Sequence, residues 1–199
     1  MTQDTLEFSA LIGSRICHDL ISPIGAIGNG LELLQMGMPL SPELALVAES
    51  VENANARVRF FRVAFGKASE GQQVNRAEVE GILRDISKGG RIEIRWAGDT
   101  PPDRRGLRAG FMAVMCLEST LPLGGEITVE YQSGAWRLHA TGHRIRLQPD
   151  LWALLDQPQS DPHSVSAGQV QFALLPGLLR DLGRVAVVSS TDTTATIAF

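Results

Sequence analysis

The sequence predicts a helical hairpin followed by an α/β two-layer sandwich. The first observation is an apolar repeat whose spacing alternates between four and three residues from residue 6 to residue 34, which is typical of a helix with a heptad seam. A similar repeat covers residues 44–65. After residue 73, helical periods alternate with the two-residue period of strands. We therefore expect a helical domain at residues 1–69 and an α/β domain at residues 73–199.

The composition is that of a folded protein with an apolar core. Of 199 residues, 44% are hydrophobic, and the formal charge of −4 argues against a broad electrostatic contact with nucleic acid. No apolar run approaches the ~18 residues of a membrane span. The N-terminus, with Asp4 and Glu7, lacks the basic start of a signal peptide. Cys17 and Cys116 have no CxxC spacing, so we expect no disulfide framework, no zinc site and a cytoplasmic location.

The first helix is predicted from its apolar seam. A helix with an unbroken seam needs a helical partner along its whole length. The seam consists of Leu6, Ala10, Gly13, Cys17, Leu20, Ile24, Ile27, Leu31 and Leu34.

A short turn at residues 37–43 joins the first helix to the second. Gly37 suits a helix end, and Pro42 fits the first position of the next helix. Ser41 can cap that helix, and Glu43 favours the positive end of its dipole. The second seam consists of Leu44, Val47, Val51, Ala54, Val58, Phe61 and Phe65.

These two helices form an antiparallel hairpin in this prediction. A single hairpin gives each helix one neighbour and leaves much of its apolar surface open. Pairing two hairpins in a four-helix bundle would close that surface. We therefore expect a homodimer.

The second part of the chain begins after a polar connector at residues 67–73. Paired glycines at positions 89 and 90 end its first helix, and prolines at positions 101 and 102 separate a strand from a strongly apolar helix. Gln132–Gly134 supplies the turn of a hairpin. The predicted helices are 77–87, 107–120, 151–155 and 169–182, and the predicted strands are 91–96, 126–131, 135–139, 184–189 and 194–199.

His18 lies at heptad position b of the first helix, turned away from the seam. An isolated histidine is most often an ordinary surface or core residue. Here its neighbours are mostly small, which permits another protein to approach the ring closely. Pro23 also lies inside the helix, where it removes a backbone hydrogen bond. The residues that share or flank this face are Ser14, Arg15, Ser22, Gly25 and Asn29.

The segment Cys17–Ile24 resembles the H-box of histidine kinases and histidine phosphotransferases, in which a histidine and an acidic residue are followed by leucine and, three positions later, proline. The resemblance implies that His18 is the phosphorylated histidine and that Asp19 is its acidic partner. The chemistry fits these residues, because an imidazole is nucleophilic when unprotonated and an adjacent carboxylate can orient it or accept its proton.

The rest of the chain resembles the Bergerat-type ATP-binding domain of histidine kinases. When Pro122–Val129 is aligned with the segment after the family's N-box, Cys116 takes the place of the Mg²⁺-binding asparagine. Ala140 replaces the adenine-reading aspartate, Arg144 replaces a glycine of the next box, and the glycine-rich lid is missing around residues 163–168. Cys116 and Ala140 lack the oxygens that the metal and the adenine need, and Arg144 adds a side chain where the phosphate needs bare backbone.

A hairpin with an H-box joined to a sandwich without ATP boxes is the pattern of the ChpT-like histidine phosphotransferases. This resemblance implies a dimeric protein that relays phosphoryl groups in alphaproteobacterial cell-cycle signalling. The donor would be the receiver domain of a hybrid histidine kinase and the acceptors would be response regulators. The resemblance also implies that this protein needs no cofactor of its own, since the receiver carries its own Mg²⁺. A functional histidine kinase and a purely structural dimerisation module are the alternatives.

Arginines of the second helix are candidates for contact with a receiver. In an antiparallel hairpin that turns near residues 38–40, residues 57–62 lie level with His18. Arg59 or Arg62 could therefore steer an acidic receiver, although a solvated helix face explains the run equally well. The predicted catalytic residues are thus His18 and Asp19. The predicted receiver-docking residues are Ser14, Arg15, Ser22, Gly25, Asn29, Arg59 and Arg62.

Overall fold

The computed structural model describes residues 3–37, 41–69, 71–156 and 165–199. Among these residues, no helix is both long enough and apolar enough to cross a membrane. The helices are α1 (Gln3–Gly37), α2 (Pro42–Ala64), α3 (Arg76–Ser87), α4 (Arg104–Glu118), α5 (Pro149–Asp156) and α6 (Val170–Asp181). The strands are β1 (Ile92–Trp96), β2 (Gly125–Gln132), β3 (Ala135–Thr141), β4 (Val187–Ser190) and β5 (Thr194–Ala198). The predicted fold class is confirmed.

Helices α1 and α2 pack against each other as the predicted hairpin. The start of α2 agrees with the prediction, because the Ser41 hydroxyl accepts a hydrogen bond from the backbone N–H of Leu44 at 3.2 Å. Pro42 is the first residue of α2, and Glu43 lies in its first turn. The predicted turn includes residues 38–40, which lie outside the described residues.

The five strands form one mixed sheet in the order β1-β2-β3-β5-β4. Strands β1 and β2 are parallel, and the other neighbouring pairs are antiparallel. The tight turn between β2 and β3 uses positive φ angles of 52° at Ser133 and 82° at Gly134. Helices α3 and α4 pack on the sheet, and α6 packs on α4, so the helices form the second layer of the sandwich.

The predicted seam of α1 has two different environments. Ala10 and Cys17 are buried against the rest of the chain, at 2% and 5% exposure. Other apolar side chains of α1 remain between 43% and 54% exposed and share one side of the helix, because their spacings of four and seven residues keep them in line. We call this set the apolar stripe, and it consists of Ile12, Ile16, Leu20, Ile27 and Leu34.

Two buried arginines of α4 join the sandwich to the hairpin. Arg104 is 6% exposed and donates hydrogen bonds to the carbonyl oxygens of Val63, at 2.6 Å, and Arg62. Arg108 donates through Nε to the carbonyl oxygen of Ala64 at 3.3 Å. Burial lowers the pKa of Arg104 to about 10, so it still carries its charge at pH 7. The last carbonyl groups of α2 thus receive hydrogen bonds and positive charge, which are favourable at the C-terminal end of a helix.

Two element boundaries of the sandwich differ by three residues from the sequence prediction, and the others there differ by at most two. Helix α4 begins at Arg104 rather than at residue 107, because the Asp103 side chain accepts a hydrogen bond from the N–H of Gly106 at 2.9 Å and caps the helix earlier. Strand β4 begins at Val187 rather than at residue 184. The backbone N–H of Arg184 instead donates to the carbonyl oxygen of Leu179 at the end of α6.

Candidate functional site

His18 lies on an exposed face of α1, as its heptad position predicts. Its side chain is 83% exposed. Ile16 and Leu20, which belong to the apolar stripe, are each two residues away along the helix. At 3.6 residues per turn, this places the imidazole roughly 160–200° around the helix from the stripe. One protein can therefore contact His18 while another covers the apolar stripe.

One carboxylate connects His18 to an arginine one turn earlier. Nδ1 of His18 lies 3.1 Å from Oδ1 of Asp19. Nε of Arg15 donates to the other oxygen, Oδ2, at 2.8 Å. Arg15 and Asp19 are four residues apart, so they face each other across one turn of α1. The three side chains form a chain of contacts on the helix surface.

The electrostatics of this group determine which ring nitrogen is free. The hydrogen bond with His18 lowers the pKa of the Asp19 carboxyl, and the neighbouring Arg15 acts in the same direction. The carboxylate is therefore ionised at pH 7 and can only accept hydrogen bonds. A hydrogen bond to this carboxylate requires the hydrogen on Nδ1 of His18, so in the neutral ring the lone pair of Nε2 is available as a nucleophile.

The predicted docking residues C-terminal to His18 lie on an open surface. Ser22 and Asn29 are exposed, and Gly25 is partly exposed. A Cβ atom added at Gly25 would have no atom within 4 Å apart from the helix backbone around it and its chain neighbours. Packing within the protomer therefore does not require glycine at this position.

Ser14 is partly exposed, and its hydroxyl is used in a contact within the protomer. Its hydroxyl oxygen accepts a hydrogen bond from the backbone N–H of Lys67 at 2.7 Å. The neighbouring Gly13 lies close to α2, since a Cβ atom there would lie 2.9 Å from the carbonyl oxygen of Phe65. Ser14 thus holds α1 to the connector after α2.

The arginines of α2 separate into different environments. Arg59 pairs with Asp85 of α3 at 2.9 Å, and Arg57 pairs with Glu118 of α4 at 3.2 Å. Arg62 is exposed. Burial raises the pKa of the Cys17 thiol, and the positive charge of Arg62 has a smaller effect in the opposite direction. Arg62 therefore lies near the level of His18, as the hairpin geometry predicts, whereas Arg59 is held against α3.

The positions aligned with ATP-binding boxes carry groups that do not fit a nucleotide. Cys116 is fully buried in α4, and burial raises the pKa of its thiol well above the usual range. Ala140 is buried in β3 and offers only a methyl group, while Arg144 is exposed. The lid prediction at residues 163–168 falls partly outside the described residues, because 163 and 164 are not among them.

The sequence analysis missed the arginine contacts between α4 and the end of α2. A signal for them exists in the first turn of α4, which contains Arg104 and Arg105 and no acidic residue. Cations are unfavourable at the N-terminal end of a helix unless another group attracts them. Arg104 is attracted by the carbonyl oxygens at the end of α2, to which it donates hydrogen bonds.

Comparisons with known proteins agree with this architecture. Residues 76–194 match the family model described as the histidine phosphotransferase C-terminal domain. The protein phosphotransferase ChpT of Brucella abortus (strain 2308) is 32% identical over 177 residues, which cover 83% of this chain and 84% of that protein. A solved structure of a bacterial phosphotransferase is similar with a TM-score of 0.71 at 24% identity, covering 100% of this chain and 97% of the other.

Proposed function

This chain belongs to the histidine phosphotransferase family, and we propose that it relays phosphoryl groups between aspartates of receiver domains through a phosphohistidine at His18. The observation that carries the proposal is the exposed imidazole whose Nδ1 is held by Asp19. In this proposal residues 1–69 carry dimerisation and phosphotransfer, and residues 73–199 form a sandwich that does not use ATP.

The transfer step needs a nucleophile and its orientation. Nε2 of His18 attacks the phosphorus of the receiver's aspartyl phosphate, so that an N–P bond forms while the P–O bond breaks and the aspartate leaves as a carboxylate. The ring becomes positively charged as the N–P bond forms, and the Asp19 carboxylate on Nδ1–H stabilises that charge. Mg²⁺ would come with the receiver, whose acidic site holds it. Transfer to an acceptor receiver is the same step in reverse.

A homodimer is part of this proposal. The apolar stripe continues into a groove with a volume of about 340 Å³. Phe61 of α2, Phe65 directly after α2 and Leu174 of α6 also line this groove. Exposed apolar surface of this extent along one helix favours a protein partner. A second copy of the hairpin would cover it in a four-helix bundle and would leave both His18 faces open.

We expect the protein to accept a phosphoryl group from a phosphorylated receiver and not from Mg-ATP. The buried Cys116 and Ala140 offer no ligand for Mg²⁺ or adenine. Labelled phospho-receiver and labelled ATP are incubated with the chain in parallel, and Mg-ATP binding is followed by titration calorimetry. Label from the receiver alone supports the relay. Self-labelling from ATP would show a histidine kinase, and no label from a panel of phospho-receivers would favour a structural dimerisation module.

Replacing Asp19 by Asn should slow transfer about tenfold without abolishing it. Asparagine keeps the size of the side chain and one acceptor oxygen, but it loses the charge that strengthens the hydrogen bond to His18. The rate is measured by single-turnover transfer from a phospho-receiver. Asp99→Asn is the matched control, because it makes the same change at an exposed aspartate outside α1 and should leave the rate unchanged. A wild-type rate for Asp19→Asn would refute the role given to this carboxylate.

A further inference from the structure

A cavity of about 320 Å³ lies where α1, the connector after α2, α4 and α6 meet. This volume falls at the lower end of the range for small-molecule pockets, about 300–1,000 Å³. Three basic side chains line it, namely Lys67, Arg105 and Arg108. The apolar part of its lining consists of Leu6, Ala10, Leu11, Ala68 and Leu178.

Arg108 has terminal hydrogen-bond donors that none of the described residues engages. The side chain is 8% exposed, and only its Nε has a partner, the carbonyl oxygen of Ala64. Within the described ranges, no hydrogen bond or ion pair engages its two terminal nitrogens. Arg104, one turn earlier and similarly buried, donates from both terminal nitrogens to the end of α2. Fixing α2 therefore explains the position of Arg104 but leaves the terminal nitrogens of Arg108 without a role.

Among the described residues, three basic and two acidic side chains line this cavity. Burial and the neighbouring Arg105 lower the pKa of Arg108, and Asp181 opposes this effect. In the part of the chain that the structure describes, neither Lys67 nor Arg105 forms an ion pair. Asp181 and Glu7 also line the cavity, but both are exposed to solvent, whereas Arg108 is buried. Buried guanidinium groups are stabilised by anions that accept their hydrogen bonds.

We infer that this cavity binds the oxyanion of a small molecule, a phosphate or a carboxylate carried on an apolar stem. The terminal nitrogens of Arg108 would donate to the oxyanion from the buried side, with Arg105 and Lys67 adding charge at the mouth. The stem would lie against the leucines of α1 and α6. This site is independent of the phosphotransfer proposal, since it uses neither His18 nor Asp19.

One residue that lines the cavity, Leu11, lies on the side of α1 that carries His18. Leu11 precedes His18 by seven residues, which is two helical turns and about 10 Å along the axis. Seven residues return to nearly the same side of a helix. An anion bound here would therefore lie close to the phosphotransfer surface.

The test is titration calorimetry of the full chain with inorganic phosphate and with phenyl phosphate, at constant ionic strength maintained with sodium chloride. Binding of phenyl phosphate about tenfold tighter than that of inorganic phosphate is expected, because the phenyl group covers apolar surface. Arg105→Gln and Lys67→Gln should each weaken phenyl phosphate binding by about tenfold, and Arg108→Met should abolish it.

Two further measurements keep this test decisive. Arg91→Gln removes an exposed arginine that lines a different surface, and it should bind phenyl phosphate like the wild type. Arg105 and Lys67 are more exposed to solvent than Arg108, so their substitution should disturb the fold less. The Arg105→Gln and Lys67→Gln proteins therefore report on the site even if Arg108→Met does not fold. The inference is overturned if neither probe binds, or if binding is unchanged in both the Arg105→Gln and the Lys67→Gln proteins.

Discussion

Replacing His18 by Ala is expected to reduce phosphoryl uptake from a phospho-receiver below detection. The imidazole is the nucleophile in the proposed step, and neither Asp19 nor Arg15 beside it can form the N–P bond. The fold should be unaffected, because the side chain is 83% exposed and such surface changes usually alter stability by less than about 0.5 kcal/mol. Transfer is followed by the label on gels, and folding by circular dichroism during thermal unfolding.

A second histidine serves as the matched control for this experiment. His143 is also exposed and lies in the sandwich, so His143→Ala should transfer at the wild-type rate. The His18→Ala protein should still bind the receiver, since the docking surface around the ring is intact. Acid-labile phosphate on the His18→Ala protein would show that another residue is phosphorylated.

Replacing Ile27 by Lys is expected to convert the proposed dimer into a monomer. Ile27 is 52% exposed and lies in the apolar stripe. In a symmetric dimer this change buries one ammonium group from each copy, and each buried unpaired charge costs several kcal/mol. The dissociation constant should therefore rise at least about a thousandfold. Light scattering at micromolar concentration measures the mass, which for the wild type should be twice the 21.5 kDa of one chain.

Leu33 provides the control for the apolar stripe. Leu33 is 70% exposed on another side of the same helix, six residues from Ile27, so Leu33→Lys should remain dimeric. A monomeric wild type would refute the homodimer. Equal dissociation by both lysine variants would show that the apolar stripe is not the contact surface.

The sequence was sufficient to predict the elements of the fold, because its periodicities are regular and its turn residues are distinctive. The Ser41 cap of α2 is one example, and the buried seam residues Ala10 and Cys17 of α1 are another. The position of His18 on an exposed face also follows from the heptad pattern alone. These are local properties, set by residues within a few positions of one another.

Contacts between distant segments could not be predicted in this way. Ser14 and Ser22 each lie one turn from His18 on α1, a spacing that suggests a shared face. The hydroxyl of Ser14 nevertheless bonds to the backbone of Lys67, in a connector that the heptad pattern of α1 does not describe. The ion pair between Arg59 and Asp85 is a second case, because nothing in the repeat of α2 indicates which face α3 will cover.

The cavity beside Arg108 depends on four segments that are far apart in the sequence. Lys67 comes from the connector, Arg105 and Arg108 from α4, Leu178 from α6, and α1 supplies the remaining wall. Their meeting depends on how the sandwich packs on the hairpin, which the buried Arg104 helps to fix. Such a site is visible only after the fold is known.

The most direct test of the phosphohistidine is to locate the phosphoryl group on the wild-type protein after incubation with a phospho-receiver. Digestion with trypsin at neutral or basic pH preserves an N–P bond, and the peptide of residues 16–57 contains a single histidine. Mass spectrometry should find one phosphoryl group on His18, and the label should be lost in acid and retained in base. A phosphoryl group on a serine, an acidic residue or a different histidine would contradict the proposed relay.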